Sequence, residues 1–453
     1  MRGQNLRFTG RIVLAVTVLG LTGSVHAQLP FADSVVVSDK DVGEPGIDVA
    51  ADGTLYINAP SKLQLGTTSA SLLFRSDDCG DHWASTSPGF LRGNLPGGAD
   101  SDVAVDPIDG SIYYVDLFDI DSTYSISRDK GFTWVYSIPL GGLPVHDRPW
   151  LASSGRGVVY EAYTNPLLGI AVTKWVVQGQ VPILTTLAAD SLLARSNCTG
   201  CPPGNVVTSK AYDNDQLGLM DKVGVMYSTA AGGVGFARST NGGLSWSQFM
   251  VSRNTPGVDT THSFPNAAND GSGTLHAVWL DVFPAGSAHC LFGLGCSRVR
   301  YSRSGDFGQT WIAPITLVAA GSSVFPWVDA RGSKVSVALY HAQALGPPDA
   351  VPGNTEWHTS YLESLDGGRT WSALQTVDAL PATTVVKTGP ICTAGELGCV
   401  SDRELLDFLQ VAIDPADRAN VTWTRVLRAG QPGVTPKDTQ IRFARQLPFG
   451  CPP

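Results

Sequence analysis

Two short runs set arginine against carboxylates: His146-Asp147-Arg148-Pro149-Trp150 and Asp402-Arg403-Glu404. Paired carboxyl groups can divide acid and base work, one held protonated to assist a leaving group and the other ionised. Guanidinium groups beside them can hold a substrate by bidentate hydrogen bonds. Asp147, Asp402 and Glu404 are therefore the candidate catalytic groups. Arg148, Arg403, Glu44, Asp102, His146 and His262 are the candidate substrate-binding groups, with Asp100 close by in the chain. The competing explanation is that these ion pairs only tie neighbouring structural units together. No cofactor is implied and no metal site is assigned. Asp116, Asp119 and Asp121 carry hard oxygens that would suit calcium, but a solvated acidic loop is the simpler explanation.

Such groups need a scaffold that gathers them from distant parts of the chain, and a repeat supplies one. Ser76-Asp78-Gly80-His82-Trp83 recurs as Ser127-Asp129-Gly131-Thr133-Trp134, Ser239-Asn241-Gly243-Ser245-Trp246, Ser304-Asp306-Gly308-Thr310-Trp311 and Ser364-Asp366-Gly368-Thr370-Trp371. Asp or Asn accepts backbone N–H groups in a turn, glycine supplies positive φ, and tryptophan seals the gap between layers. The box is therefore a structural corner rather than a catalytic motif. Its period of roughly 50–60 residues, with one double-length gap, signals a β-propeller of four-stranded blades.

Strand pairs joined by tight turns recur with the box. "SDVAVDPIDGSIYYVDL" and "FPNAANDGSGTLHAVWLD" each read as strand, turn, strand. A unit without its box starts at "RPWLASSGRGVVYEAYT", a further unit, less clear in its first strand, covers about 205–252, and the last, "FLQVAIDPADRANVTWTRV" with "IRFARQ", lacks a fourth strand. Seven blades are expected, with six as the alternative. The spare strand "SVVVSD" (34–39) is expected to complete the last blade and hide two open edges. The polar groups named above precede the innermost strands, so they should converge on one face.

Residues 1–27 have a basic start, an apolar stretch and a small-residue cut site, and read as a secretory signal peptide. Residues 28–453 then form a single propeller domain, secreted or periplasmic. No later apolar run is long enough to span a bilayer, so no membrane partner is expected after signal removal, and a monomer is expected. Net charge is −9 over the whole chain, and loss of a basic leader makes it more negative. Nucleic acid is therefore an unfavourable partner. Eight cysteines in an exported chain favour disulfides. The close pairs are Cys198–Cys201, Cys290–Cys296 and Cys392–Cys399, which leaves Cys79 with Cys451. Cys198-Thr-Gly-Cys201 has a redox or metal reading, but nothing near it completes such a site. Asn197 and Asn420 match the glycosylation sequon by what reads as chance.

At its boxes the chain resembles the Asp-box (BNR-repeat) proteins, of which the sialidases are the best-known enzymes. The resemblance implies a sialidase-like propeller over nearly the whole mature chain. It also implies three arginines clamping a substrate carboxylate, a Tyr–Glu nucleophile pair and an Asp acid/base. The first-blade arginine motif of sialidases is replaced here by Gly43-Glu44-Pro45-Gly46, which puts an acid where a substrate acid would dock. Three functions follow as expectations: an exo-acting glycosidase at the central funnel, a non-catalytic glycan- or protein-binding propeller, and a structural module of the cell envelope. The partner expected is a carbohydrate or glycoprotein. In a glycosidase the carboxyl separation would be about 5–5.5 Å for retention and about 6.5–9.5 Å for inversion.

Overall fold

A computed structural model describes residues 28–39, 42–60, 71–88, 100–118, 121–137, 147–165, 169–179, 181–188, 203–209, 215–394, 398–399, 401–427 and 439–448. Within them the chain forms seven antiparallel sheets, each following a four-stranded path. The innermost strands are Gly46–Val49, Ser101–Val105, Asp147–Gly155, Pro203–Ser209, Asn266–Asn269, Ser322–Arg331 and Gln410–Ile413 for blades 1 to 7. They pack side by side in that cyclic order, and the last packs on the first. The seven-bladed propeller expected from the sequence is the fold; the six-bladed alternative is excluded.

The ring closes as the spare strand suggested. Val35–Ser38 pairs antiparallel with Thr439–Arg445, with Val35 opposite Phe443 and Val36 opposite Arg442. A first and a last segment of the chain thus share one sheet, and Thr439–Arg445 is paired on both sides instead of being left as an open edge. Blade 6 carries an addition that the sequence did not announce. Lys387–Thr388 pairs with Glu356–Ser364 as an extra short strand, within the long excursion that leads to blade 7.

The seams between blades are stitched by side chains of the innermost strands. Asp48 Oδ2 accepts the Val105 N–H at 2.7 Å, and Asp102 Oδ2 accepts that of Leu151 at 2.7 Å. Asn205 Oδ1 accepts Ala267 N–H at 2.9 Å, and Asn266 Oδ1 accepts Val328 N–H at 2.9 Å. Asp329 Oδ2 takes Ile413 N–H at 2.6 Å, and Gln410 Oε1 takes Ile47 N–H at 2.8 Å. Between blades 3 and 4, Thr208 Oγ1 donates to the Ser153 carbonyl at 3.3 Å instead. Burial makes these carboxyls costly to ionise. It pushes Asp48 up to about 7 and Asp102 up to about 8, against the pull of the N–H groups they accept.

Each box is the corner between the third and fourth strands of its blade. In blade 6 the Ser364 hydroxyl donates to Asp366 Oδ1 at 2.7 Å and accepts the Gly368 N–H at 2.8 Å. Asp366 also accepts the Arg369 and Thr370 N–H groups at 2.9 Å each and the Thr370 hydroxyl at 2.7 Å. Burial opposes it, yet these donors hold the carboxyl well below the usual range. Trp371 stands edge-on to Tyr301 of blade 5 at 4.8 Å. Gly368, at φ +77, leaves room for that tyrosine: a Cβ would lie 1.7 Å from its hydroxyl.

Of the expected disulfides, Cys290–Cys296 and Cys392–Cys399 are formed. Cys79 is disulfide-bonded, but Cys451, Cys198 and Cys201 lie outside the described residues, as do residues 1–27, expected to be a signal peptide, and Asn197. Asn420 is 0 % exposed within blade 7, so the folded chain cannot present it for glycosylation.

Asn241 makes the same turn in blade 4, accepting the Ser239 hydroxyl and the Ser245 N–H at 2.9 Å each. Asp366→Asn should therefore leave thermal stability nearly unchanged. Asp366→Ala should cost about 1 kcal/mol, read as a fall in Tm of roughly 1 °C by calorimetry. Equal losses in the two variants would show that the acceptor geometry is not what holds the corner.

Candidate functional site

Every innermost strand starts at the same face of the ring, so the residues just before each strand, or at its first turn, meet near the axis. In blades 1, 3 and 6 that position is an X-Pro step whose first residue is left-handed: Glu44 at φ 49, Arg148 at φ 58 and Phe325 at φ 54. Asp402 (φ 61) and Leu406 (φ 58) approach blade 7 in the same conformation. Non-glycine residues rarely adopt it, and strained backbone of this kind clusters at active sites and ligand clamps. Blades 3 and 6 also share a register shift there, between Asp147 and Trp150 and between Val324 and Trp327. A bulge of this kind re-aims the side chains around it.

What the bulges aim at the axis is a plug of aromatic rings. Trp150 of blade 3 lies 5.2 Å from Trp327 of blade 6, 5.3 Å from Phe264 before blade 5 and 5.0 Å from Phe408 before blade 7. Blades 3 and 6 are not neighbours in the ring, so these contacts cross the axis. All four rings are buried. The Arg148 guanidinium lies 5.3 Å from the centre of the Phe264 ring, which puts the charged cluster against the plug.

Arg148 is the hub of that cluster. Its Nη1 lies 2.6 Å from Glu44 Oε2 and 3.3 Å from Asp100 Oδ1, and its Nη2 is bonded to Asp407 Oδ2. Its backbone N–H also donates to Asp100 Oδ2 at 3.0 Å. Arg403 joins from the other side through both carboxyl oxygens of Asp407, with Nη2 to Oδ2 at 2.8 Å. Asp407 N–H donates to Glu44 Oε1 at 2.9 Å. One guanidinium thus links blades 1, 2, 3 and 7.

Four carboxyls, those of Glu44, Asp100, Asp147 and Asp407, face two guanidiniums, and the acids are in excess. Glu44 is 2 % exposed; burial pushes it up to about 8, opposed by Arg148 and aided by the like charges of Asp407 and Asp100. Asp147 keeps an exposed edge, but the protein around it and the nearby Asp100 charge push it up to about 6. Arg148 sheds its proton less readily than a free guanidinium: burial works against the charge, but the four acids outweigh it.

The other candidate residues fall into separate places. Asp402 and Glu404 face the buried Lys387 of the extra strand at 3.5 and 2.8 Å, so they anchor the excursion from which Arg403 and Asp407 reach the axis. Asp102 lies inside its strand and is buried, with its carboxyl on the Leu151 N–H rather than in the funnel. His262 precedes blade 5. Its Nε2 lies 3.2 Å from Asp259 Oδ2, and its Nδ1 meets the Thr393 hydroxyl beside the Cys392–Cys399 bridge. Burial opposes its charge, but Asp259 and Asp349 raise its pKa overall. His146 and Asp119 lie outside the described residues. Asp116 accepts the Ser71 N–H at 3.1 Å and its hydroxyl at 2.8 Å, tying blades 1 and 2. Sequence reasoning missed Asp407, the residue on which both arginines converge. Its spacing of four from Arg403 was the available signal.

No family profile matches the chain, and no curated protein matches it by sequence. Many solved structures share its shape, and it is a β-propeller by that comparison as well. A GH74 enzyme from Niastella koreensis aligns with TM-score 0.53 at 15 % identity, over 86 % of this chain and 52 % of that one. The chain thus spans about half of that enzyme. An α-L-arabinofuranosidase from Fusarium graminearum, solved with an iminosugar inhibitor, aligns with TM-score 0.49 at 12 % identity over 92 % and 98 % of the two chains. An α-L-arabinanase from Penicillium chrysogenum, complexed with arabinobiose, gives 0.47 at 11 % identity over 92 % and 98 %.

The raised Glu44 pKa has a consequence for stability. Between the unfolded value near 4.3 and about 8, the folded chain holds a proton that the unfolded chain has released. Stability should therefore fall as pH rises through that window. Glu44→Gln should flatten the dependence, so that the Tm difference between pH 5 and pH 8 shrinks relative to wild type. An unchanged slope would show that Glu44 is ionised throughout.

Proposed function

We infer that the chain is a glycoside hydrolase acting at the axial cluster, with Asp147 as the proton donor, on sugars that carry no negative charge. The observation that supports this most is the excess of acid. A hub that only tied blades together would be better served by balanced charges, since unpaired buried charge destabilises. Here carboxyls are crowded until one or more keeps its proton near neutrality, which is the condition for a general acid. The raised Asp147 stands at the exposed edge, where a leaving-group oxygen could reach it. Glu404 and Asp402, on the blade 7 approach where they pair with Lys387, are the proposed partners for base or nucleophile work. Arg403, His262 and His146 are the proposed substrate contacts.

The arginines support an uncharged substrate. Arg148 and Arg403 both spend their guanidiniums on carboxylates of the chain itself, and no third arginine pairs with these carboxylates among the described residues. A sialic acid would meet net negative charge. The Asp-box resemblance therefore supports the scaffold of this reading more than the sialidase specificity. The propeller glycoside hydrolases with a similar fold show that such a ring hosts this class of chemistry in those proteins.

A second reading, a glycan-binding propeller without turnover, is favoured by one observation: Glu44 and Arg148 are almost sealed, the latter with an 11 % exposed side chain. Fluorogenic glycosides of neutral pentoses and hexoses, with sialosides beside them, separate the two. Hydrolysis of a neutral glycoside is expected, with Asp147→Asn lowering kcat by about 10²–10⁴ on the corresponding alkyl glycoside or oligosaccharide and far less on an aryl glycoside whose leaving group needs no proton. No hydrolysis by wild type across the panel, with binding on a glycan array, would establish the second reading.

A further inference from the structure

The loop between the second and third strands of blade 5 presents an apolar tip to solvent. Phe292 is 85 % exposed, Leu291 69 % and Leu294 52 %. Pro284 to Ser297 contains no Asp, Glu, Lys or Arg. The tip is held rigidly. Cys290–Cys296 bridges its base, Gly286 N–H donates to the Gly293 carbonyl at 2.8 Å, and Arg298 donates to the His289 carbonyl at 2.5 Å while lying over the Phe283 ring. Phe292 itself sits at φ 56, a conformation costly for an aromatic residue. Strain and exposure fall on the same side chain, and neither contributes to the core.

We propose that this finger inserts into a lipid surface with uncharged headgroups. Area and charge select the occupant. With ~200 Å² for a large apolar side chain, the exposed fractions amount to roughly 400 Å². A stable protein partner needs about 800 Å² from each side, whereas insertion into acyl chains needs only a convex apolar tip. The tip carries no cation to meet anionic lipid, and the chain as a whole is acidic. Leu345, exposed in the neighbouring blade 6 loop whose Pro347 abuts Gly295, broadens the footing. The sequence pointed to no membrane partner because no apolar run after residue 27 is long enough to span a bilayer; a surface contact leaves no such signal. The finger stands on the same face as the axial cluster, so a docked chain turns its funnel toward the bilayer.

Co-sedimentation of the chain from Gln28 onward with phosphatidylcholine vesicles tests this. Binding that survives high salt is expected. Phe292→Asn, which suits the left-handed backbone, should weaken it about tenfold or more without lowering Tm, and Leu291→Ser with Leu294→Ser should do likewise. Leu244→Asn, an exposed leucine on the opposite face, should leave binding unchanged. Absence of wild-type binding, binding that requires anionic lipid and fails in salt, or equal loss in Leu244→Asn would overturn the proposal. So would a wild-type dimer that Phe292→Asn dissolves.

Discussion

Side chains of the innermost strands hold the seams of the ring, and the rest of the architecture follows from that constraint. Each accepts or donates a backbone hydrogen bond at an adjacent blade, from Asp48 onto Val105 round to Gln410 onto Ile47. These bonds set the height of each strand against its neighbour. With heights fixed, the residue before each strand arrives at a common level near the axis. Propeller blades are otherwise joined by apolar packing, which is non-directional; directional bonds are what give Arg148, Glu44, Asp100 and Asp407 a defined geometry.

The price of that convergence is a crowd of acids in a poorly hydrated place. Arg148 offsets part of it and Arg403 more, but the remaining excess raises Glu44 and Asp147. Beneath them the Trp150, Trp327, Phe264 and Phe408 plug keeps water from the axis and strengthens every charge interaction above it. The extra strand at Lys387, with the Cys392–Cys399 bridge, holds the excursion that supplies Arg403 and Asp407. Scaffold and cluster are therefore one design: seams set height, bulges set direction, and a braced loop completes the ring of acids.

Much of this fold could be read from the sequence because it repeats. The serine-to-tryptophan boxes mark blade corners by chemistry that needs those residue types at that spacing. The spare strand at 34–39 stood out because blade 7 lacked a partner for Thr439–Arg445. The site was less legible, and the reason is physical. Arg148, Glu44 and Asp407 are far apart in sequence, and their contacts depend on how the ring closes. Asp102 looked like its polar neighbours, yet its place inside a strand turns it to the next blade. Asp402 and Glu404 flank Arg403, but their direction depends on Lys387, whose short strand left no periodic trace. The X-Pro steps at Glu44-Pro45, Arg148-Pro149 and Phe325-Pro326 were visible, and their left-handed backbone was not.

The proton held at the hub is the property on which the functional reading rests, and infrared difference spectroscopy reads it directly. Spectra of wild type minus Glu44→Gln, recorded near pH 6.5, should contain the C=O band of a protonated carboxyl that disappears as the pH is taken above about 8. A difference spectrum showing only ionised carboxylate across that range would contradict it.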